Sequence, residues 1–157
     1  MLVKTKYFGE IDLGEDKIIT FEKGLMGFEN FTKYTILFDN DGENKGNIMW
    51  FQSVEEPAFA LPVISPVHVK EDYDPEVNDE WLKSLGELND ENTCVLLTMT
   101  VTEDVKNTTA NLKAPLVINA DTRKGCQVIA ENSDYVVKYN VYDAIQKKKQ
   151  EKGEVEC

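Results

Sequence analysis

Residues capable of acid–base, nucleophilic or metal chemistry are few in this 157-residue sequence, and their spacing matches no catalytic set. His68 is the only histidine, so a Ser-His-Asp or Cys-His arrangement would have to use it, yet no G-x-S-x-G signature accompanies it. The same scarcity disfavours a metal site built from histidine and cysteine. We therefore interpret His68 as a surface or partly buried side chain, and we predict no catalytic residue, no metal site and no cofactor.

The three cysteines are an odd number, and none belongs to a C-x-x-C pair. Cys94 and Cys126 fall inside apolar, strand-like runs, and Cys157 ends the sequence. This pattern indicates reduced thiols of a cytoplasmic protein. The alternative is a reactive or metal-binding cysteine, which requires a nearby histidine or basic residue to stabilise the thiolate.

Glycine and carboxylate pairs offer no specific ligand motif. Residues 42–46 lack the Lys-Ser/Thr that follows a P-loop, and Gly24 with Gly27 lacks the third glycine of a dinucleotide-binding turn. Glu55 and Glu56 are adjacent, and their side chains would diverge in an extended chain. A glycosidase-type carboxylate pair stays open as an alternative, but nothing in the sequence selects one.

The chain is strongly acidic, and the charge is unevenly distributed. It carries 29 Asp and Glu against 17 Lys and Arg, a formal net charge of −12. Residues 71–91, which we call the acidic segment, hold nine carboxylates against Lys83 alone, a net −8 of that total. Such a charge disfavours direct binding to nucleic acid and can steer a basic partner. The alternative is a solvated face that keeps the protein soluble.

Length and hydropathy predict one globular domain, with 41% hydrophobic and 29% charged residues. Apolar runs such as residues 94–99 are far shorter than the roughly 18 residues that span a bilayer. Residues 1–7 alternate apolar and charged side chains, unlike a secretory signal. We predict a cytoplasmic protein without membrane contact. Its domain covers residues 1–142, followed by a polar, Lys-rich tail over 143–157 that is flexible or a frayed helix.

β-Branched and aromatic residues recur in short runs separated by Gly, Asn and Asp, which is typical of short antiparallel strands. Gly9 and residues 121–124 have the composition of hairpin turns, and residues 39–47 that of a longer exposed loop. The predicted fold class is mainly β, a small antiparallel β-barrel-like domain with one or two short helices. The predicted strands cover residues 3–8, 10–13, 17–21, 34–38, 48–53, 59–64, 93–102, 116–119, 125–130 and 135–141.

One helix is predicted at residues 78–85. Asn78 or Asp79 can cap its first free N–H groups, and Gly86 can close its C-terminus. Trp81, Leu82 and Leu85 would lie on one face and pack against the barrel. The acidic residues of the helix would then face outward.

Four segments of the sequence form an ordered set. They read KYFGEI at 6–11 with ITFEKGLMGFE at 19–29, WFQSV at 50–54 with Pro57 and Phe59-Ala60, TANLKAPLVIN at 109–119, and KGCQV at 124–128. Together they resemble the FliW family of flagellar assembly factors over about residues 1–140. Met26 departs from the family, which usually has proline there, and predicts a less rigid turn. The Lys-rich tail extends beyond the family's usual end.

The resemblance implies a regulator that binds other proteins rather than an enzyme. FliW proteins bind the RNA-binding translational repressor CsrA and also bind flagellin, so that accumulating flagellin removes FliW and frees the repressor. A net −8 beside the basic surface of such a repressor would repel RNA phosphates. Flagellin's amphipathic chain ends would suit an apolar surface. The alternatives are a flagellin-dedicated chaperone without a translational role and, third, an unrecognised hydrolase.

Partner-binding residues are predicted in two groups. The turn 24–28 and the strand 50–53 are candidates for uncharged contact surface, although both could equally belong to the core. The first four carboxylates of the acidic segment are candidates for contact with the repressor. The predicted contact residues are Gly24, Leu25, Phe28, Trp50, Gln52, Ser53, Glu71, Asp72, Asp74 and Glu76.

Overall fold

The computed structural model describes residues 2–38 and 48–142, so the predicted loop 39–47 and the predicted tail 143–157 lie outside the described residues. The described chain is mainly β-structure joined by short 3₁₀ helices. Its strands are β1 Leu2–Lys4, β2 Glu10–Asp12, β3 Ile19–Thr20, β4 Lys33–Phe38, β5 Met49–Ser53, β6 Ala60–Ile64, β7 Thr93–Thr100, β8 Thr109–Ala110, β9 Leu116–Asn119, β10 Lys124–Gln127 and β11 Tyr139–Asn140.

Seven of these strands close into a barrel. β3 to β7 are hydrogen-bonded in chain order, β7 continues to β9, β9 to β10, and β10 returns to β3. All neighbours in this ring are antiparallel except β3 and β10, which pair in parallel through Thr20 and Lys124. The predicted barrel-like fold class is confirmed, and the one parallel pairing at the closure is a feature that the hairpin pattern did not indicate.

Two short pairings lie outside the ring. β1 and β2 form a two-stranded sheet, and β11 pairs with β8 beside β7. Predicted strand 3–8 ends early because Thr5 accepts a hydrogen bond from the Phe8 N–H and turns the chain toward Gly9, whose φ is 66°. Only Tyr139–Asn140 of predicted strand 135–141 is a strand, and β8 was not predicted.

Alternation along β9 divides the core. Leu116 and Ile118 point into the barrel, where they join an aromatic cluster, while Val117 points outward and packs beneath the 3₁₀ helix Asp79–Leu85. β9 is therefore buried on both faces, between β7 and β10. Pro115 precedes β9 and lies outside the ladder, where its carbonyl accepts from the Val128 N–H.

The predicted helix 78–85 is present as a 3₁₀ helix, Asp79–Leu85. Asn78 caps it by accepting a hydrogen bond from the Glu80 N–H at 3.0 Å, and Gly86 ends it with φ 87°. With about three residues per turn, Leu82 and Leu85 share a face. Both pack toward the barrel.

The prediction that Trp81 packs with these leucines was wrong, because in a 3₁₀ helix it aligns with Ser84 instead. Trp81 is 44% exposed. No helix among residues 2–38 and 48–142 has the length and apolarity that a membrane crossing requires.

Candidate partner-binding surface

The acidic segment lies in the connection between β6 and β7 and is held to the barrel by its backbone and by Tyr73. At its N-terminal end, the Tyr73 hydroxyl donates to the Leu112 carbonyl at 2.7 Å, and the Asp74 N–H donates to the Tyr135 hydroxyl at 2.7 Å. The rings of Tyr73 and Tyr135 stack at 4.8 Å. The Glu76 N–H donates to the Asn132 side chain at 2.6 Å. The anchors use main-chain groups of Asp74 and Glu76, so their carboxylates remain exposed.

The C-terminal half of the segment is held by two buried asparagines. Asn119 donates to the carbonyls of Leu85 and Glu87, at 2.8 and 3.2 Å. Asn92 donates to the Glu87 carbonyl at 2.8 Å and to the Asp121 carboxylate at 3.1 Å. The backbone of the acidic segment is therefore held against the barrel in both halves of the segment.

The predicted contact carboxylates Glu71, Asp72, Asp74 and Glu76 are all exposed and lie within six residues of one another. Asp72 forms an ion pair with Lys70 at 2.9 Å, and this hydrogen bond lowers the pKa of the Asp72 carboxyl. Within the same segment, Glu80 approaches Lys83 at 3.8 Å. The structure thus brings the four carboxylates together on one exposed stretch, with Lys70 reducing the negative charge near Asp72.

The predicted turn 24–28 divides into a structural part and an exposed part. Gly24 has φ 65°, and a Cβ there would lie 2.6 Å from the Glu29 Cα, so the position requires glycine. Leu25 is buried in the barrel core. Phe28 is 44% exposed and packs against Phe59 with ring centroids 4.5 Å apart. Of this turn's predicted contact residues, only Phe28 offers a large apolar side chain to a partner.

The predicted strand 50–53 is largely structural as well. Buried Gln52 donates to the carbonyls of Pro57 and Phe59 and accepts from the Lys6 N–H at 3.0 Å. Buried Ser53 accepts from two N–H groups of the turn that follows. Both side chains are therefore enclosed and hydrogen-bonded within the protein. Trp50 is half-buried, with its ring 4.4 Å from that of Tyr7.

One surface groove was not predicted from the sequence. A cavity of about 230 Å³ lies between the turn after β3, the 3₁₀ helix Asp79–Leu85 and β10. We call it the Trp81 groove, and its lining includes Met26, Trp81, Ser84, Cys126 and Gln127. A more open depression of about 360 Å³ shares Lys23 and Trp81 with it and adds Asn78 and Glu80. The 3₁₀ helix places Trp81 and Ser84 on one face at three-residue spacing, and both side chains line the groove.

The two described thiols, Cys94 and Cys126, and the histidine lie at separate places in the fold. Burial raises the pKa of the Cys94 and Cys126 thiols, which opposes thiolate formation. The Cys126 thiol donates to the Trp81 carbonyl at 3.4 Å. His68 ends the short 3₁₀ helix Pro66–His68 and is partly buried. Within the described part of the chain, no group of three or more His, Cys, Asp or Glu residues could hold a metal ion.

Comparison with known proteins adds three findings. The family model described as FliW protein matches residues 2–141. Flagellar assembly factor FliW of Lachnoclostridium phytofermentans is 50% identical over 155 residues, covering 98% of this chain and 99% of that protein. That of Lachnospira eligens is 50% identical over 148 residues, covering 94% and 98%. A crystal structure of the flagellar assembly factor FliW superposes with a TM-score of 0.81 at 31% identity, covering 90% of this chain and 97% of that one.

Proposed function

Because the chain belongs to the FliW family, we propose that it acts in flagellar assembly as a cytoplasmic partner switch. In this proposal it binds a CsrA-type repressor and weakens the repressor's hold on RNA. It also binds flagellin, which competes with the repressor. The protein works by binding and not by catalysing a reaction, and it makes no direct contact with nucleic acid or membrane.

The observation that carries the repressor half of the proposal is the exposed and anchored acidic segment. A repressor that holds RNA presents basic surface, and a fixed field of carboxylates attracts such a surface and repels phosphates. Tyr73, Asn92 and Asn119 hold the segment's backbone at both ends. Because the backbone that carries these charges is held in place beforehand, binding loses less conformational entropy than it would with a disordered acidic chain.

Flagellin binding, the second part of the proposal, is supported by exposed aromatic surface. Phe28 packs on Phe59 and Phe59 on Phe31, at centroid distances of 4.5 and 5.6 Å, so an apolar patch lies beside the turn after β3. An amphipathic segment buries its apolar face most favourably against such a patch. The predicted contact residue Trp50 packs against the exposed Tyr7 and forms a second aromatic pair.

The test is competition between the two partners. Flagellin is titrated into a preformed complex of this protein with purified repressor, and the released repressor and its RNA binding are measured. Linkage requires that each partner lower the other's affinity by the same factor, about 5- to 150-fold for a coupling of about 1–3 kcal/mol. Release of the repressor with recovered RNA binding supports the switch.

Two other outcomes decide against it. A ternary complex with both affinities unchanged overturns the partner switch. Binding of flagellin with no binding of the repressor leaves the protein as a flagellin chaperone without a translational role.

A further inference from the structure

We propose that the Trp81 groove receives an arginine side chain of the basic repressor, stacked on the Trp81 indole. This inference rests on the proposed function, and it names the chemical group that the acidic surface recognises. It is independent of the four carboxylates at 71–76.

The indole of Trp81 is presented outward by the structure around it. The Cys126 thiol donates to the Trp81 carbonyl, and the neighbouring Leu82 and Leu85 bind the helix to the barrel. The side chain is 44% exposed and stands at the rim of the groove. A tryptophan face has negative electrostatic character and attracts cations more strongly than other aromatic rings do.

That face already attracts a cation within the protein itself. The Lys23 ammonium lies 5.8 Å from the centroid of the Trp81 ring. A planar guanidinium is better suited to this position than an ammonium, because it stacks on the ring and is more weakly hydrated. An incoming arginine would thus displace or join Lys23 at a place where the structure already favours positive charge.

The size and charge of the groove also fit arginine. A cavity of about 230 Å³ exceeds the roughly 150 Å³ that can enclose a benzene molecule, so it can accommodate one long side chain. Met26 and the two lining glycines provide apolar surface for the aliphatic stem. Glu22 and Glu29 line the groove and Glu80 lines the adjoining depression, so carboxylates border the cavity. Lys124 and Lys83 pair with Glu22 and Glu80, whereas Glu29 accepts only the Gly27 N–H among the described contacts.

The test is a double-mutant cycle between this protein and the purified repressor. Trp81→Ala should weaken repressor binding about tenfold, whereas Trp81→Phe, which keeps an aromatic face, should lose less. Lys23→Met removes the resident cation and should strengthen binding about two- to fivefold. Phe38→Ala, which truncates an exposed aromatic outside the groove, is the matched control and should bind like the parent. Circular dichroism and thermal unfolding check that each variant is folded.

On the repressor, each arginine is changed to methionine in turn. One position should weaken binding to the parent protein and have no further effect in the Trp81→Ala background. If every arginine acts additively with Trp81→Ala, or if Trp81→Ala binds the repressor normally, the groove assignment is overturned while the proposed function stands. Loss of flagellin binding alone in Trp81→Ala overturns it as well. If the parent protein does not bind the repressor, the proposed function fails, and this inference fails with it.

Discussion

The Asn119 side-chain amide donates a 2.8 Å hydrogen bond to the carbonyl of Leu85, joining the β9–β10 hairpin to the end of the 3₁₀ helix. The same side chain donates to the Glu87 carbonyl and accepts from the N–H groups of Asp121 and Thr122. One buried amide therefore forms hydrogen bonds with backbone groups of both the hairpin turn and the acidic segment. The position of the segment depends on it.

Asn119→Ala should lower the free energy of unfolding by about 1–3 kcal/mol, because carbonyl and N–H groups that are screened from water lose their partners. Denaturant unfolding measures the loss. Asn30→Ala, at an exposed position, is the control and should change stability by less than about 0.5 kcal/mol. A stability loss no larger than the control's would show that water replaces these hydrogen bonds without cost.

Gln52 is expected to matter for stability and not for partner contact. Gln52→Met keeps the length of the side chain and removes its donors to Pro57 and Phe59 and its acceptor for Lys6. We expect unfolding to become easier by about 1–3 kcal/mol, with repressor and flagellin affinities unchanged in the folded protein. Unchanged stability combined with weaker binding of either partner would show that Gln52 contacts that partner.

The Tyr34 hydroxyl is buried without a hydrogen-bond partner among the described residues. Tyr34→Phe should therefore leave stability at neutral pH unchanged or raise it by up to about 1 kcal/mol. Burial, with a smaller contribution from Glu55, raises the pKa of Tyr34 from 10.0 to about 12. Because the pKa of Tyr34 is higher in the folded protein, the unfolded chain releases this proton first. The free energy of unfolding is therefore unaffected by Tyr34 ionisation below pH 10 and falls as the pH rises toward 12.

Unfolding free energies at about pH 9 and about pH 11.5 test this assignment. The advantage of Tyr34→Phe over the parent should grow between the two values. An advantage that is the same at both values would mean that Tyr34 ionises in the folded protein as readily as in the unfolded chain.

Charge reversal of the acidic segment should slow association with the repressor. Changing Glu71, Asp72, Asp74 and Glu76 to Lys should lower the association rate constant about tenfold or more at low salt, with a smaller effect as salt rises. The fold should survive, because the anchoring bonds use main-chain groups of Asp74 and Glu76. Stopped-flow mixing at several salt concentrations measures the rate.

The control for this experiment carries the same change in net charge at exposed carboxylates outside the acidic segment. An equal loss of rate in the control would show that only total charge matters. No loss in either variant would mean that the segment is solvated surface. The control substitutions to Lys are at Glu10, Glu15, Glu103 and Asp134.

The strands and hairpins could be predicted from sequence because their signals are local. Runs of β-branched residues predicted β4, β5, β7 and β9 to within two residues at each end. The predicted turn 121–124 does join β9 to β10, except that Lys124 is already the first residue of β10. The closure through Thr20 and Lys124 could not be predicted, because it joins strands from distant parts of the chain. No local pattern encodes such a pairing.

The candidate site was harder to predict because it, too, is formed by segments that are distant in the sequence. Gln52 is polar in a strand, and its burial is decided by acceptors and donors on two other segments. The Trp81 groove forms where residues 22–29, 81–84 and 125–127 meet, and none of these segments indicates a groove by itself. Trp81 was assigned to the core because an α-helical period was assumed, whereas the helix has three residues per turn.

The closure between β3 and β10 also bears on the order in which the molecule folds. Its single pair, Thr20 beside Lys124, joins residues 104 positions apart, whereas β4 to β7 and the β9–β10 hairpin join neighbours in sequence. Bringing distant strands together carries the larger loop-closure entropy, so this junction forms late, after the meander has collapsed. The ring would then also open there first. Gly24 and Gly125 lie close to this junction in sequence, and both line the Trp81 groove. A ligand bound in the groove would contact both sides of the β3–β10 pairing and slow the opening of the barrel.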